Sequence, residues 1–238
     1  KRLAANPVDL LIAPAGLATT AYLKIDIPIV YINDRCIAGA LDYHDILQDL
    51  FDWSRDQSLA TERAALRNAS LSVFSSSWAA DAAKVAAPEV AERIRMIPFG
   101  ANLSEPPAEP GTGTWPGGKL KLLFIGVYWH EKGGPMAYET LLALKRAGIA
   151  VQLVVCACDP PADCYDPDLV REGFLNKNDP SQLERLQAHL RTADFMVLPT
   201  RFEAYGIVFC EAAAYGIPVL ATRTGGIPTI VEEGRTGF

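Results

Sequence analysis

Short apolar runs rich in β-branched and aromatic residues alternate with longer helix-forming stretches along this chain, and that alternation restricts its fold more than any other feature. Asp9 to Ala13 (DLLIA) and Ile29 to Ile32 (IVYI) read as buried strands. A charge-rich stretch from Ile46 to Asn68, with few breakers, reads as helical. Leu71 to Ser75 (LSVFS) is a further strand, Trp78 to Val85 a helix, and Ile94 to Ile97 (IRMI) closes this part at Pro98. Strands and helices in turn, with short links, imply a parallel sheet covered on both faces.

The pattern breaks once. Glu105 to Gly118 (EPPAEPGTGTWPGG) holds four prolines and four glycines with almost nothing apolar, which is the composition of a linker. Beyond it the alternation restarts. Leu120 to Gly126 (LKLLFIG) is a strand, and Pro135 to Ala147 a helix ended by Gly148. Val151 to Ala157 (VQLVVCA) is a strand and Val170 to Leu175 a weaker one. Ser181 is expected to cap a helix running through Arg191, with Glu184 completing a capping box. Phe195 to Leu198 is a buried strand, Ile207 to Tyr215 a helix, and Val219 to Thr222 a strand. The expected organisation is two Rossmann-like doubly wound α/β domains, residues 1–103 and 119–238, joined by a linker at 104–118. The sequence does not begin with Met and ends without a closing helix, so both domains are expected to be incomplete.

Composition narrows the partners. Half of the 238 residues are hydrophobic and 21% are charged, a balance that suits packed cores. No apolar run approaches the roughly 20 residues that span a bilayer. No signal peptide is read at the start, which points to the cytoplasm. The net charge of −6, without a dense Lys/Arg stretch, disfavours nucleic acid as a partner. A nucleotide is not excluded, because backbone amides and one cation can hold a diphosphate. Five cysteines (Cys36, Cys156, Cys158, Cys164, Cys210) at irregular spacing read as reduced thiols in the core. Paired C-x-x-C units are absent, and His44, His130 and His189 stand in no ligand spacing with the cysteines, so no metal site is expected.

The chemistry concentrates between Leu198 and Gly226. A strand ends at Leu198-Pro199, a loop runs from Thr200 to Gly206, and a helix begins near Ile207. Ligands of open α/β sheets bind at such strand-to-helix loops. The amides of Gly206, Ile207 and Val208 at the helix start form an anion site, and Gly206 lets backbone approach a phosphate. Glu203 precedes the turn and Glu211 lies about one turn inside the helix. Both are within reach of a ligand lying across the helix start, although the helix dipole alone also favours glutamates there.

The order of residues here is distinctive. Glu203-Ala204-Tyr205-Gly206-Ile207-Val208-Phe209-Cys210-Glu211 resembles the E-x(7)-E signature of retaining GT-B glycosyltransferases of family four. Glu211-Ala212-Ala213-Ala214-Tyr215-Gly216-Ile217-Pro218-Val219 and Thr224-Gly225-Gly226-Ile227-Pro228 stand where that family has a small-residue helix, G-x-P-V and a second Gly-rich turn. The family often continues with Glu, where this chain has Thr229. Phe124-Ile125-Gly126 through Lys132-Gly133-Gly134 resembles the family's strand-end loop, usually G-R-x(4)-K-G. Lys132 matches its lysine, but Val127 replaces its arginine. Arg171 to Lys177 resembles the segment near the nucleobase, and Ser75 to Ala80 with Ile97 to Asn102 resembles the end of the N-terminal domain and its hinge.

The resemblance implies a GT-B fold with two domains facing a cleft, and transfer of a sugar, with retention, from a nucleotide-diphosphate sugar to an acceptor hydroxyl. It implies Lys132 and Glu203 as catalytic residues, and Lys132, Glu203, Tyr205, Gly206, Ile207, Val208, Glu211 and Leu175 at the donor. Glu203 would position the sugar and Glu211 the ribose. No cofactor or metal is implied, and the acceptor is a glycan, a lipid or a small molecule, with peripheral membrane association left open. Asp34, after the strand at Ile32-Asn33, reads as a turn cap rather than a cleft residue. Two alternatives stay open: a non-catalytic GT-B module that binds a nucleotide sugar or serves assembly, and a GT-B sugar-nucleotide epimerase or phosphorylase.

Overall fold

The computed structural model describes residues 7–41, 43, 45–108, 111 and 115–238. His44 and part of the Pro/Gly-rich segment (109, 110 and 112–114) lie outside the described residues. The chain divides into two compact α/β units, Lys1–Phe99 and Gly100–Phe238.

In the first unit four strands, β1 (Leu11–Pro14), β2 (Ile29–Asn33), β3 (Leu71–Phe74) and β4 (Ile94–Met96), form a parallel sheet in the order β1-β2-β3-β4. Helices α1 (Leu17–Tyr22), α2 (Ile37–Ala40), α3 (Asp45–Gln48), α4 (Asp52–Asn68) and α5 (Ser77–Ala86) make the crossovers. Tyr31, Leu66, Phe74, Ala79 and Ala83 are fully buried in its core. The Ser76 hydroxyl accepts from the Ala79 amide at 3.2 Å and starts α5 one residue before the expected helix.

One expectation is corrected here. The stretch from Ile46 to Asn68 is not one helix: Phe51, at φ −58° and ψ 145°, leaves helical conformation and separates α3 from α4. Neither glycine nor proline marks that break, so tertiary packing overrides propensity there. The start of α2 is capped from α4. Buried Glu62 accepts from the Ile37 amide at 2.7 Å, the Ala38 amide at 3.1 Å and the Cys36 thiol at 2.9 Å. Three donors on one carboxylate compensate the desolvation of a charge in the core. The Asp34 amide donates to Asn33 Oδ1.

The second unit has five parallel strands, β5 (Leu120–Ile125), β6 (Val151–Cys156), β7 (Leu169–Gly173), β8 (Phe195–Leu198) and β9 (Val219–Ala221). Their order is β7-β6-β5-β8-β9, the doubly wound order in which the chain first builds outward from β5 and then returns to its other side. The two central strands are buried along most of their length, as continuous apolar runs must be when helices cover both faces. The helices are α6 (Gly134–Arg146), α7 (Pro180–Thr192) and α8 (Ile207–Ala214).

The N-cap of α7 is Asp179, not Ser181 as expected. Its carboxylate accepts from the Ser181 and Gln182 amides at 2.9 and 3.2 Å. Pro180, which has no N–H to satisfy, occupies N1 and sets the helix start two residues early. Leu103 packs on the core of the second unit, and the Gly111 amide donates to the Tyr215 carbonyl at 2.6 Å. Asp194 accepts from the Trp115 and Lys121 amides. Described parts of the Pro/Gly-rich segment are therefore tied to the second unit. Among the described residues no helix is long and apolar enough to cross a membrane.

Candidate functional site at the sheet's switch point

Strand order in the second sheet reverses between β5 and β8, which pair through Leu122 with Phe195 and Leu123 with Met196. Ligands of open α/β sheets bind outside the carboxyl ends of the strands at such a switch point. The loop after β5 carries Lys132, and the loop after β8 carries Glu203. Lys132 Nζ donates to Glu203 Oε2 at 2.7 Å and lies 3.4 Å from the Phe202 carbonyl.

Backbone packing sets up that meeting. Gly133 has φ +79°, and a Cβ there would stand 2.0 Å from the Pro199 carbonyl oxygen. Only glycine lets the β5 loop close so tightly on the end of β8. The Arg201 amide donates to the Glu131 carbonyl at 2.9 Å, joining the loops a second time. Buried Thr200 donates its hydroxyl to the Phe202 carbonyl at 2.8 Å. A third loop joins them, since the Gly226 amide donates to the Glu203 carbonyl at 3.1 Å.

Gly206 is the left-handed N-cap of α8, at φ +93°, and a Cβ there would meet the Phe209 ring at 2.4 Å. Ile207 and Val208 follow at the first two helical positions, where an α-helix has no acceptor of its own for the amides. Glu211 lies one turn on. It is only 3% exposed, on a helix otherwise made of Ile, Val, Phe, Cys and Ala. Its carboxylate pairs with the ammonium of Lys177, which comes from the loop after β7.

That loop also bounds a cavity of about 310 Å³, lined by Ile125, Cys156, Leu175, Asn176 and Lys177 among others. The cavity opens at the carboxyl ends of β5 and β6, beside the ion pair. Leu175 is buried in its wall. A larger cavity of about 570 Å³ lies at the end of β9, lined by Thr222, Arg223, Pro228 and Phe238, and contains none of the expected site residues.

The expected residues thus fall into two neighbouring groups. Lys132, Glu203, Gly206, Ile207 and Val208 gather at the switch point, while Leu175 lines the cavity and Glu211 pairs with the cavity-lining residue Lys177. Tyr205 differs in kind: its side chain is 2% exposed and takes a contact from the Cys210 thiol at 3.7 Å, so it packs inward. Val127 is exposed. His130 is exposed as well, and its carbonyl accepts from the Gly133 amide. Lys177 was not singled out from the sequence. Its position four residues past β7 is visible there, but its aim toward Glu211 depends on the fold.

None of the five cysteines forms a disulfide. Burial raises the Cys156 thiol to about 12 and that of Cys158 to about 11. Both therefore hold their protons near neutrality and act as apolar groups in and beside the cavity wall.

Comparison with known proteins decides the family. The sequence profile described as Glycosyl transferases group 1 matches residues 119–238, half of the chain and nearly all of the second unit. The chain belongs to the glycosyl transferases group 1 family. It is 33% identical over 130 residues to the D-inositol 3-phosphate glycosyltransferase of Arthrobacter sp. (strain FB24), covering 52% of this chain and 31% of that protein. With the D-inositol 3-phosphate glycosyltransferase of Pseudarthrobacter chlorophenolicus identity is 45% over 160 residues, covering 62% of this chain and 38% of that one. The matches span about a third of the length of these curated relatives.

Among solved structures, the lipopolysaccharide outer core galactosyltransferase WaaB in its apo form superposes with a TM-score of 0.71 at 13% identity. It covers 99% of this chain, which spans 62% of it. Sucrose-phosphate synthase from Thermosynechococcus elongatus superposes at 0.68 with 20% identity, covering all of this chain and 61% of its own. At these identities the likeness is one of fold, and the fold of this group 1 chain is GT-B.

Proposed function

We propose that this group 1 protein transfers a hexosyl group from a nucleotide-diphosphate sugar to an acceptor hydroxyl, with retention of anomeric configuration and without a metal ion or other cofactor. The observation that supports the reading best is the meeting of Lys132 and Glu203 at the switch point, beside a glycine-capped helix start.

The chemical demand on such a site is charge. As the bond between the anomeric carbon and the phosphate oxygen breaks, its electron pair stays with the departing diphosphate, and the sugar becomes oxocarbenium-like. Lys132 and the amides at the start of α8 stabilise the diphosphate, the role preorganised dipoles and cations perform best. Glu203 orients the sugar, and Glu211 takes the ribose hydroxyls. The cavity beside Leu175 takes the base, a flat group suited to apolar walls. The acceptor oxygen then bonds to the anomeric carbon on the face from which the diphosphate leaves, and the acceptor proton passes to the departing phosphate oxygen. Neither glutamate is assigned the role of nucleophile or general base.

The names of the relatives nominate a polyol phosphate as the first acceptor to assay, beside a glycan and a lipid-linked hydroxyl. The test offers UDP-, GDP- and ADP-sugars with these acceptors in the presence of a chelator, and follows nucleotide release and the anomeric configuration of the product. Transfer with retention supports the reading. Nucleotide binding without release or transfer, from a folded protein, points instead to the binding module.

A further inference from the structure

We propose that Lys177 is a positioning residue for the donor ribose. The inference rests on the functional reading above, in which Glu211 takes the ribose hydroxyls.

Glu211 is a carboxylate on an apolar helix, almost wholly removed from water. A charge in that position requires a partner. Among the described residues the cation at its Oε1 is Lys177, 34 residues earlier in the chain. Lys177 is about a third exposed, and it lines the 310 Å³ cavity together with Leu175 and Asn176. The lysine that pairs with the carboxylate thus also lines the cavity.

The loop that carries Lys177 is fixed on both sides. Asn176 takes a hydrogen bond from the Asn178 amide at 3.0 Å, and its own amide donates to Gln182 Oε1 at 2.8 Å. Asp179 caps α7 directly afterwards. The lysine backbone is therefore held, and its side chain is presented to Glu211 from a set origin. Engaging Oε1 restrains rotation of the carboxylate plane. A fixed acceptor plane is what two vicinal hydroxyls need in order to donate to one carboxylate together. The ammonium is consequently an orienting group, acting on the ligand through Glu211.

A role limited to stability would weaken every nucleotide alike. An orienting role instead changes discrimination between ribose and 2′-deoxyribose. The experiment measures, by calorimetry, the binding of UDP, GDP and ADP and of their 2′-deoxy counterparts to the wild-type protein and to Lys177→Ala, Lys177→Arg and Glu211→Gln, with thermal melts to verify folding. Lys177→Gln keeps a donor without the charge and replaces the alanine variant if that one does not fold. The wild type is expected to prefer the ribose form by on the order of tenfold. Lys177→Ala and Glu211→Gln are expected to lose the preference, and Lys177→Arg to restore most of it. Loss in Glu211→Gln with the preference intact in Lys177→Ala and Lys177→Gln overturns the role of Lys177 and leaves the donor-site reading standing. No binding to the folded wild type, or an unchanged preference in Glu211→Gln, overturns both.

Discussion

Lys132 Nζ and Glu203 Oε2 lie 2.7 Å apart, although 71 residues separate them in the chain. The pair exists because β5 and β8 are neighbours in space, and because Gly133 allows the two loops that leave them to touch. It sits at the one place in the second sheet where the strand order reverses.

This pair leads to the first prediction. Its side chains are 22% and 14% exposed, so Lys132 reaches solvent and Lys132→Ala should fold. Melting should shift by only a few degrees, since an ion pair in contact with water contributes little to stability. Turnover with saturating donor should fall roughly 100-fold, the usual loss when one charge-stabilising group is removed. Loss of folding with unchanged activity per folded molecule would reverse the assignment.

Two glycines with nearly the same backbone separate conformational cost from packing cost. Gly133 and Gly148 have φ +79° and +78°, but a Cβ at Gly148 meets nothing within 4 Å. Gly148→Ala should cost about 1 kcal/mol, the left-handed penalty alone. Gly133→Ala drives a methyl into the Pro199 carbonyl and should cost at least ~3 kcal/mol. Urea denaturation of both variants measures the difference, and equal costs would show that the β5 loop yields freely.

Val127 stands where the family pattern has its arginine, and it is 57% exposed at the end of β5. Val127→Arg should therefore be tolerated by the fold. It should tighten binding of a nucleoside diphosphate severalfold while leaving that of the nucleoside unchanged, because the added charge addresses phosphate. Titration with the two ligands side by side checks this, and equal gains for both would place the arginine away from the phosphates.

Buried thiols predict a dependence on alkaline pH. Burial raises Cys156 from the ordinary thiol value of 9.0 to about 12, and burial with the neighbouring Glu62 also raises Cys36. A raised folded value gives stability that is full below pH 9 and is lost as pH climbs toward 12, since the unfolded thiol ionises first. Thermal melts between pH 8 and 11 should decline accordingly. Native-state alkylation at pH 8, read by mass spectrometry, should spare Cys36 and Cys156, and rapid labelling of either would contradict their burial.

Much of this architecture is legible in the residues, and the exceptions are instructive. Continuous runs such as LKLLFI and VQLVVC mark buried parallel strands because both faces must be apolar. Lys132, Glu203 and Glu211 are visible because their spacing accompanies a strand-turn-helix pattern. The strand order is not visible, since it depends on pairings between distant segments. The same holds for Glu62, which caps a helix 25 residues away, and for Lys177, whose partner lies on helix α8. Asp179 shows a local failure: reading Ser181 as the cap overlooks that Pro180 fits the first helical position.

The central claim is that the switch point of the second sheet binds a nucleotide-diphosphate donor. Calorimetric titration of the purified protein with UDP, GDP and ADP, alongside Glu211→Ala, tests it most directly. The account predicts that one nucleotide binds tightly and that the variant loses most of that affinity. A folded protein that binds none of the three would contradict it.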